Sequence, residues 1–428
     1  HGDDARAAKE LIAERKVLLF NVTDPDAALD DFRHVTDGSD SGNGLQPFSD
    51  DSEICPKLIV DGLFGIGLNR TLGEDWQKLI AAVNESGIPV LAVDVPSGLN
   101  AETGVPFGAA VVAAVTLTVG VPKTGLLAQS AWPFVGRLEV TGDVGFAPCA
   151  LASELNWTLP GDFQDFPPCR AVAGHKGSFG HVTIIAGSQG FHGAAVLAGR
   201  AAQRAQPGLV TVLTQEKVYL PVAAQLQAAM VNVWLPGNDL PEKTTAVLVG
   251  PGLAAPELPA ELQTFARHFW RTAAMPMVAD ASALDWLEPH NQSAPAARVI
   301  TPHPGEAARL LGTTVAGVQA DRVAALRALS RKFGQCWVVL KGHQTLVGCG
   351  TGEVFVNSSG NPHLAQGGSG DVLGGFLAGL LAQPSLQADV GRTIRYAVWQ
   401  HGAAADALQA RSANWVVEDL VRNLGKKS

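Results

Sequence analysis

The sequence predicts an α/β protein of two domains, each built on a mostly parallel sheet covered by helices on both faces. Three observations carry this reading. Short β-branched runs alternate with Ala-rich stretches of helical pattern, the rhythm of βαβ units. That rhythm breaks around Phe146–Cys169, where Pro148, Pro160, Pro167, Pro168 and Gly161 interrupt it, and then it restarts. The 428 residues are 46% hydrophobic and 17% charged, too long for one ordinary domain and too apolar for a disordered chain. Domains over residues 1–150 and 169–428 are expected, joined by the Pro-rich linker.

In the first part, Lys57–Val60, Val90–Val95 and Val115–Val119 read as buried strands, with the helical pattern Asp75–Ser86 between the first two. Asp37–Gly44 is polar enough for a loop. After the break, His181–Ala186 reads as a strand, Ala194–Ala205 as a helix, and Leu209–Thr214 and Ala246–Val249 as strands. Val278–Asp280, Val299–Thr301 and Trp337–Leu340 continue the strand series. Two apolar helices, Asp371–Ala382 and Thr393–Ala410, close it. No internal repeat or low-complexity tract stands out.

Composition narrows the function classes. A net charge of −9 without a basic block argues against nonspecific nucleic-acid binding. It leaves open a nucleotide held by backbone amides. The longest apolar stretches, Phe107–Val121 and Val372–Ala382, are Ala- and Gly-rich core elements, so no membrane partner is expected. The opening His1-Gly2-Asp3-Asp4 has no basic or apolar leader pattern, and it lacks an initiator Met, as a trimmed chain would. Five scattered cysteines without a CxxC pair point away from a disulfide framework or zinc site and toward a reducing cytoplasm.

Ligands of open parallel sheets bind at the carboxyl ends of strands. Two such ends in the first part carry an acid and a Gly-containing turn. One is Asp61-Gly62-Leu63-Phe64-Gly65-Ile66-Gly67-Leu68-Asn69-Arg70, and the other is Asp94-Val95-Pro96-Ser97-Gly98-Leu99. Either acid alone could simply cap its turn. Two in parallel tilt toward a site, to which Lys123 could add a cation.

The second part says more. Gln366-Gly367-Gly368-Ser369-Gly370-Asp371 opens an apolar helix, and a Gly cluster there exposes unpaired N–H groups at the positive end of the helix dipole. Such a cradle suits phosphate. Asp371 at its lip is either an ordinary N-cap or a base that takes a proton from a hydroxyl attacking phosphorus. Three further strand ends converge on the same rim: Gly250-Pro251-Gly252-Leu253, Thr301-Pro302-His303-Pro304-Gly305-Glu306 and Lys341-Gly342-His343-Gln344-Thr345. His181, His192 and His401 lack metal-ligand spacing and read as structural.

These residues resemble a bacterial family of fused NAD(P)H-hydrate repair enzymes, an NAD(P)HX epimerase joined to an ADP-dependent NAD(P)HX dehydratase. The epimerase part matches at Val60 through Leu68, Asp94 through Asn100, Gly120-Val121-Pro122-Lys123 and Asp143-Val144-Gly145. The dehydratase part matches at His175-Lys176-Gly177-Ser178-Phe179-Gly180, Ala186-Gly187-Ser188, Val249-Gly250-Pro251-Gly252 and Ala279-Asp280-Ala281. It matches again at Thr301 through Glu306, at Lys341-Gly342 with Thr345, and at Gly367 through Asp371. The match runs from about Lys57 onward, and its motif order is highly specific.

The resemblance implies a Rossmann-like three-layer epimerase domain followed by a ribokinase-like α/β domain. In the first, Asp61 and Ser97 would hold potassium, Gly65, Ile66, Gly67, Leu68, Asn69, Arg70 and Thr71 would line the hydrate site, and Asp94 would contact substrate and act in catalysis. In the second, Gly252, His303 and the catalytic Asp371 would face the hydrate. Lys341, Gly342, His343, Gln344, Thr345 and Gly370 would face the adenine nucleotide, beside the anion cradle of Gly367, Gly368 and Ser369. ADP as co-substrate, magnesium, NADH and NADPH hydrates and a homo-oligomeric state are implied too. The family carries an Asn-Asn-Gly-Gly-Asp loop near its start, of which His1-Gly2-Asp3-Asp4 matches only the tail, so a weak epimerase is expected. A ribokinase-like small-molecule kinase and a non-catalytic nucleotide-binding protein are the alternatives. The kinase would transfer phosphoryl without dehydration, and the binding protein would hold nucleotide without turnover.

Overall fold

The computed structural model describes residues 22–37, 56–142, 144–145, 153–237 and 239–426. His1–Asp4, the polar loop beyond Asp37, Cys55, Asp143 and Cys149 lie outside them. The chain divides into two compact units, His1–Cys149 and Ala150–Ser428. Among the described residues no helix is long and apolar enough to cross a membrane.

In the first unit, strands β1 (Ile59–Asp61), β2 (Val90–Val93), β3 (Val115–Val119) and β4 (Arg137–Thr141) form one parallel sheet in sequence order. The helix Glu74–Glu85 returns the chain from β1 to β2 and buries Leu79, Ile80 and Val83, spaced to share one face. Ile80 and Val83 pack with Leu72, Val90 and Val111. Leu79 meets Ala28 and Leu29 of the helix Pro25–Asp37, an element the strand rhythm had not signalled.

The second unit carries a ten-stranded sheet. Its strands are β5 (Leu155–Trp157), β6 (His181–Ile185), β7 (Leu209–Thr214), β8 (Met230–Val233), β9 (Ala246–Val249), β10 (Met277–Ala279), β11 (Arg298–Ile300), β12 (Trp337–Leu340), β13 (Leu346–Gly348) and β14 (Val354–Val356). The order is β5-β14-β13-β12-β11-β10-β9-β6-β7-β8. The run from β8 to β12 is parallel, and β13 is antiparallel to both neighbours. Strands β6, β9, β10 and β11 are buried along their whole length, as strands of a two-sided sheet should be; β9 and β10 are wholly apolar, whereas β6 buries His181 and Thr183 and β11 buries Arg298. From β6 the chain builds outward through β7 and β8, then returns to β9 and builds the other way. The strand order therefore reverses between β6 and β9, which is where a doubly wound sheet opens its binding crevice.

Two helices seal this crevice from one side. Gly375 and Gly379 of Ser369–Leu381 lie against Ala198 and Ala202 of His192–Arg204, and a Cβ at Gly375 would stand 2.1 Å from the Ala198 carbonyl oxygen. The Pro-rich stretch is more than a spacer. Leu155–Trp157 adds an edge strand parallel to β14, Phe163 is buried against Tyr396 and Trp399, and Arg392 donates to the Asp162 and Gln164 carbonyls. The described part of this stretch thus belongs to the second unit, correcting the boundary expected at residue 169. The periodic pattern missed it because a three-residue strand carries no period.

A fragment of residues 150–428 is expected to fold and to be more stable than one of 169–428. Burial of Phe163 alone is worth about 1.5–3 kcal/mol. The shorter fragment should show a lower urea midpoint by circular dichroism, and equal midpoints would contradict the assignment.

Candidate active site

At the switch point, the turn after β6 and the turn after β9 are tied together. The Gly187 amide donates to the Pro251 carbonyl at 2.9 Å, and the Ser188 hydroxyl donates to the Gly252 carbonyl at 2.6 Å. Gly250 and Gly252 have φ of 127° and 64°, conformations that L side chains rarely adopt. Close approach demands Gly250 as well, since a Cβ there would stand 1.7 Å from the Asp280 carbonyl oxygen. Gly252 sits beside Phe191 at the start of the neighbouring helix.

The glycine cradle is present. Gly368, at φ 93°, is the N-cap of Ser369–Leu381 and makes no side-chain cap bond. The first-turn amides of Gly370 and Asp371 have no carbonyl acceptor among the described residues. Asp371 is the third residue of the helix, so the ordinary N-cap reading does not hold. Burial, then the nearby Asp280 carboxylate, push its pKa up to about 7, with the Lys341 ammonium acting the other way.

Three neighbouring parallel strands deliver the rest of the rim. Asp280 directly follows β10, Thr301 follows β11 and Lys341 follows β12. The Thr301 hydroxyl donates to Asp280 Oδ1 at 2.6 Å, and Lys341 Nζ donates to the same oxygen at 3.0 Å. Lys341 Nζ also lies 3.9 Å from Glu306 Oε2. Burial disfavours its charge, but the fields of Asp280, Glu306 and Asp371 outweigh this and raise its pKa. His303 caps the helix Pro304–Leu311: its Nδ1 accepts from the Gly305 and Glu306 amides, while the Glu306 carboxylate accepts from the His303 amide. That fixes Nδ1 as an acceptor and leaves an exposed ring on the rim.

After Lys341 the chain turns through Gly342 at φ 138° and Gln344 at φ 52°. Arg322 holds this turn by donating to the His343 carbonyl at 2.7 Å, and the Thr345 hydroxyl donates to the Gly342 carbonyl. Both polar side-chain atoms of Gln344 are buried with no hydrogen-bond partner among the described residues. An orphaned amide on a strained turn is costly until something pairs with it. Sequence reasoning gave no role to Asp280, Arg322 or Glu306. The acid closing an apolar run, the signal that singled out Asp61 and Asp94, marks Asp280 as well. His401 is buried beneath the cradle with Nε2 3.1 Å from the Ser369 carbonyl, and burial pushes its pKa down to about 4, so it stays neutral and structural. The His175–Gly180 match sits at the amino end of β6, away from this rim.

In the first unit, Asp61 and Ser97 meet. Asp61 Oδ2 accepts from the Ser97 amide at 2.8 Å and Oδ1 from the Ser97 hydroxyl at 2.6 Å, and Ser97 Oγ accepts from the Phe64 amide. Asp61 is 5% exposed, has no cationic partner among the described residues, and burial raises its pKa despite these donors. Asp94, at φ 70°, accepts from Lys123 Nζ, from the Val119 amide at 2.9 Å and from the Thr118 hydroxyl. Burial works against its charge, but Lys123 and the Val119 amide outweigh it and hold the carboxyl below its usual range. Lys123 thus joins the rim as its position suggested. The turn Gly65–Thr71 is mostly exposed beside Asp61.

A switch-point crevice with a glycine-led helix and strand-end charges defines a ribokinase-like α/β unit, here preceded by a smaller parallel α/β unit. Residues 182–426 match the NAD(P)H-hydrate dehydratase family, and residues 3–125 match the YjeF-related protein N-terminus. The chain belongs to the family of bifunctional NAD(P)H-hydrate repair enzymes. It is 40% identical over 377 residues to the bifunctional NAD(P)H-hydrate repair enzyme of Gloeobacter violaceus, covering 83% of this chain and 71% of that one. With the Escherichia coli enzyme of the same name it shares 37% over 378 residues, 83% of this chain and 68% of that one. Among solved structures, the ADP/ATP-dependent NAD(P)H-hydrate dehydratase of Bacillus subtilis, co-crystallised with ATP/Mg2+, is 30% identical. It superposes with a TM-score of 0.53 over 60% of this chain and 91% of that one. A ribokinase-like superfamily protein from Enterococcus faecalis is 26% identical, with a TM-score of 0.54 over 65% of this chain and 96% of that one.

The contact at Gly250 makes a sharp test of the crevice. Gly250→Ala should destabilise the protein by about 2 kcal/mol or more, because β9 and β10 must separate to admit the methyl group. Gly193→Ala, in a helix with open space around it, should be neutral or slightly stabilising. Thermal melts of the two variants decide it, and equal melts would mean the crevice tolerates the methyl group.

Proposed function

We propose that this chain repairs hydrated nicotinamide nucleotides, interconverting the R and S hydrates of NADH and NADPH in the first unit. In the second it dehydrates the S hydrate at the expense of ADP, giving AMP and phosphate. The observation that carries the dehydratase reading is Asp371, a carboxyl with a pKa near 7 in the first turn of a glycine-led helix at the switch point.

Hydroxide is a poor leaving group, so the hydrate's hydroxyl must first be esterified. Asp371 takes the hydroxyl proton as the oxygen attacks the terminal phosphorus of ADP, and the bond to the departing AMP breaks. The Gly370 and Asp371 amides and the Lys341 ammonium stabilise the charge that develops on the phosphoryl oxygens. The ring nitrogen then supplies the electron pair that expels phosphate, and the adjacent carbon gives up a proton to restore the dihydropyridine. Gly252 and His303 line the hydrate's side of the crevice, and Lys341–Thr345 the nucleotide's side. Magnesium, when bound, neutralises phosphate charge.

In the first unit, opening of the hydrate's C–O bond leaves positive charge on the ring, and Asp94, kept ionised by Lys123, is suited to stabilise it before water returns to either face. Asp61 and Ser97 fit potassium: a buried carboxylate with no cationic partner among the described residues, and a hydroxyl beside it, make an oxygen donor set for a large monovalent ion. Gly65, Ile66, Gly67, Leu68, Asn69, Arg70 and Thr71 would line the hydrate site. Free cysteines at Cys169, Cys336 and Cys349 suit a cytoplasmic setting.

Mixed NADH hydrates and ADP should regain reduced-nicotinamide absorbance in the presence of the protein, and no recovery with ADP or ATP would overturn the reading. Asp371→Asn should lower the rate by about 10²–10⁴-fold while leaving ADP binding within a few-fold. Because the base must be ionised, kcat/KM should rise as pH passes upward through about 7 and level off above it.

Potassium should raise the melting temperature of the first unit's transition relative to tetramethylammonium at equal ionic strength, an effect that Asp61→Asn abolishes. Identical melts in the two salts would remove potassium from the proposal.

A further inference from the structure

The dehydratase rim contains an acid to which the reaction above gives no part. Asp280 is 2% exposed, yet among the described residues only one of its carboxylate oxygens accepts a hydrogen bond. Both of its donors, Thr301 and Lys341, bond Oδ1. Oδ2 instead lies against the face of the cradle helix. A Cβ built on Gly374 would be 3.4 Å from Oδ2, and one on Gly370 would be 4.0 Å from Oδ2 and 3.4 Å from Lys341 Nζ. Gly370 and Gly374 are one turn apart, so the helix presents a side-chain-free strip against which the Asp280–Lys341 pair lies. Asp371 follows Gly370 directly.

Resting on the dehydratase reading, we infer that Asp280 is a positioning residue of this site. It anchors the Lys341 ammonium beside the cradle and sets a second negative charge close to Asp371, keeping that base more basic than a lone carboxylate. Without Asp280, the attraction of Lys341 for Asp371 would go unopposed, and Asp371 would hold its proton weakly and accept one poorly.

The charges around the helix start support this division of labour. Asp280 comes from the end of β10, Lys341 from the end of β12, and Glu306 from the helix after β11, where it balances Lys341. His401, from the long C-terminal helix, is neutral. The flanking helix His192–Arg204 runs parallel to the cradle helix, so it brings His192 to this end and carries Arg200 and Arg204 toward the other, and the last helix, Val417–Asn423, brings Glu418 and Asp419 in its first turn. The rise in the Asp371 pKa traces to burial and to Asp280, with Lys341 opposing.

The test is Asp280→Asn in the full chain, with Asp280→Ser, smaller and equally uncharged, as the second variant should the amide not fold. The first readout is the pH profile of kcat/KM for the S hydrate with ADP. Its acidic limb should move to lower pH by about one unit, with the plateau rate falling about ten-fold or more as the base weakens. The second needs no turnover: the proton-uptake difference between the chain and its Asp371→Asn variant, measured with and without Asp280, reports the titration of Asp371 itself. That titration should move the same way. Wild-type turnover of the S hydrate tests the dehydratase reading separately, so failure of that reading leaves the titration to decide the role of Asp280. A lower rate with limb and titration both within about 0.2 pH units of wild type would make Asp280 merely structural and overturn the inference.

Discussion

Ser369–Leu381 and His192–Arg204 touch backbone to backbone, and the second unit's site depends on that contact. Gly375 and Gly379 bring the helix within van der Waals reach of the Ala198 and Ala202 carbonyls, closer than any side chain would allow. The helix is buried from Val372 to Leu381, so its polar groups can meet solvent or ligand only at the Gly368–Asp371 end. Packing thereby concentrates the unpaired amides, the dipole and a titratable carboxyl at one point of the crevice. The burial that stabilises the helix also withholds water from Asp371, and stability and basicity share one cause.

The first unit places two acids at the carboxyl ends of parallel strands, the second places one there and one in the first turn of a helix, and in both the two acids meet different surroundings. Asp94 meets an ammonium, an amide and a hydroxyl and stays ionised, whereas the pKa of Asp61, buried with donors but with no cation among the described residues, is raised. Asp280 is paired with Lys341, whereas Asp371 has only the distant pull of that lysine against burial and a like charge. Divergent pairs of this kind allow one carboxylate to hold charge while another moves a proton. Strand ends and one helix start supply the acids, and the groups brought beside each decide what it can do.

Much of the architecture was legible in the chain order. The runs at Val115–Val119, Leu209–Thr214, Ala246–Val249 and Trp337–Leu340 coincide with strands, since short β-branched and apolar runs suit a pleated surface buried within a sheet. Other strand ends shifted by one or two residues: the run Val278–Asp280 reads one past β10, where Asp280 has already left the ladder for the rim. β4, β5, β8, β13, β14 and several helices, Pro25–Asp37 among them, went unread. Most of these strands have three or four residues and carry too little period, and the helix Pro25–Asp37 lies beside a stretch without strand rhythm.

What the sequence determined by itself is local: apolar runs that must be buried, glycines that free a helix start, acids that close strands, and a motif order specific enough to identify a family. Tertiary structure alone decided the pairings. Asp280 and Lys341 are 61 residues apart, and Asp61 and Ser97 are 36 apart. Whether such residues meet depends on strand order, and strand order is set by which helices cover which face. No periodicity encodes that choice, because it arises when separate local patterns compete to bury their apolar faces against one another. The charge of each acid follows from the neighbour it is thereby given.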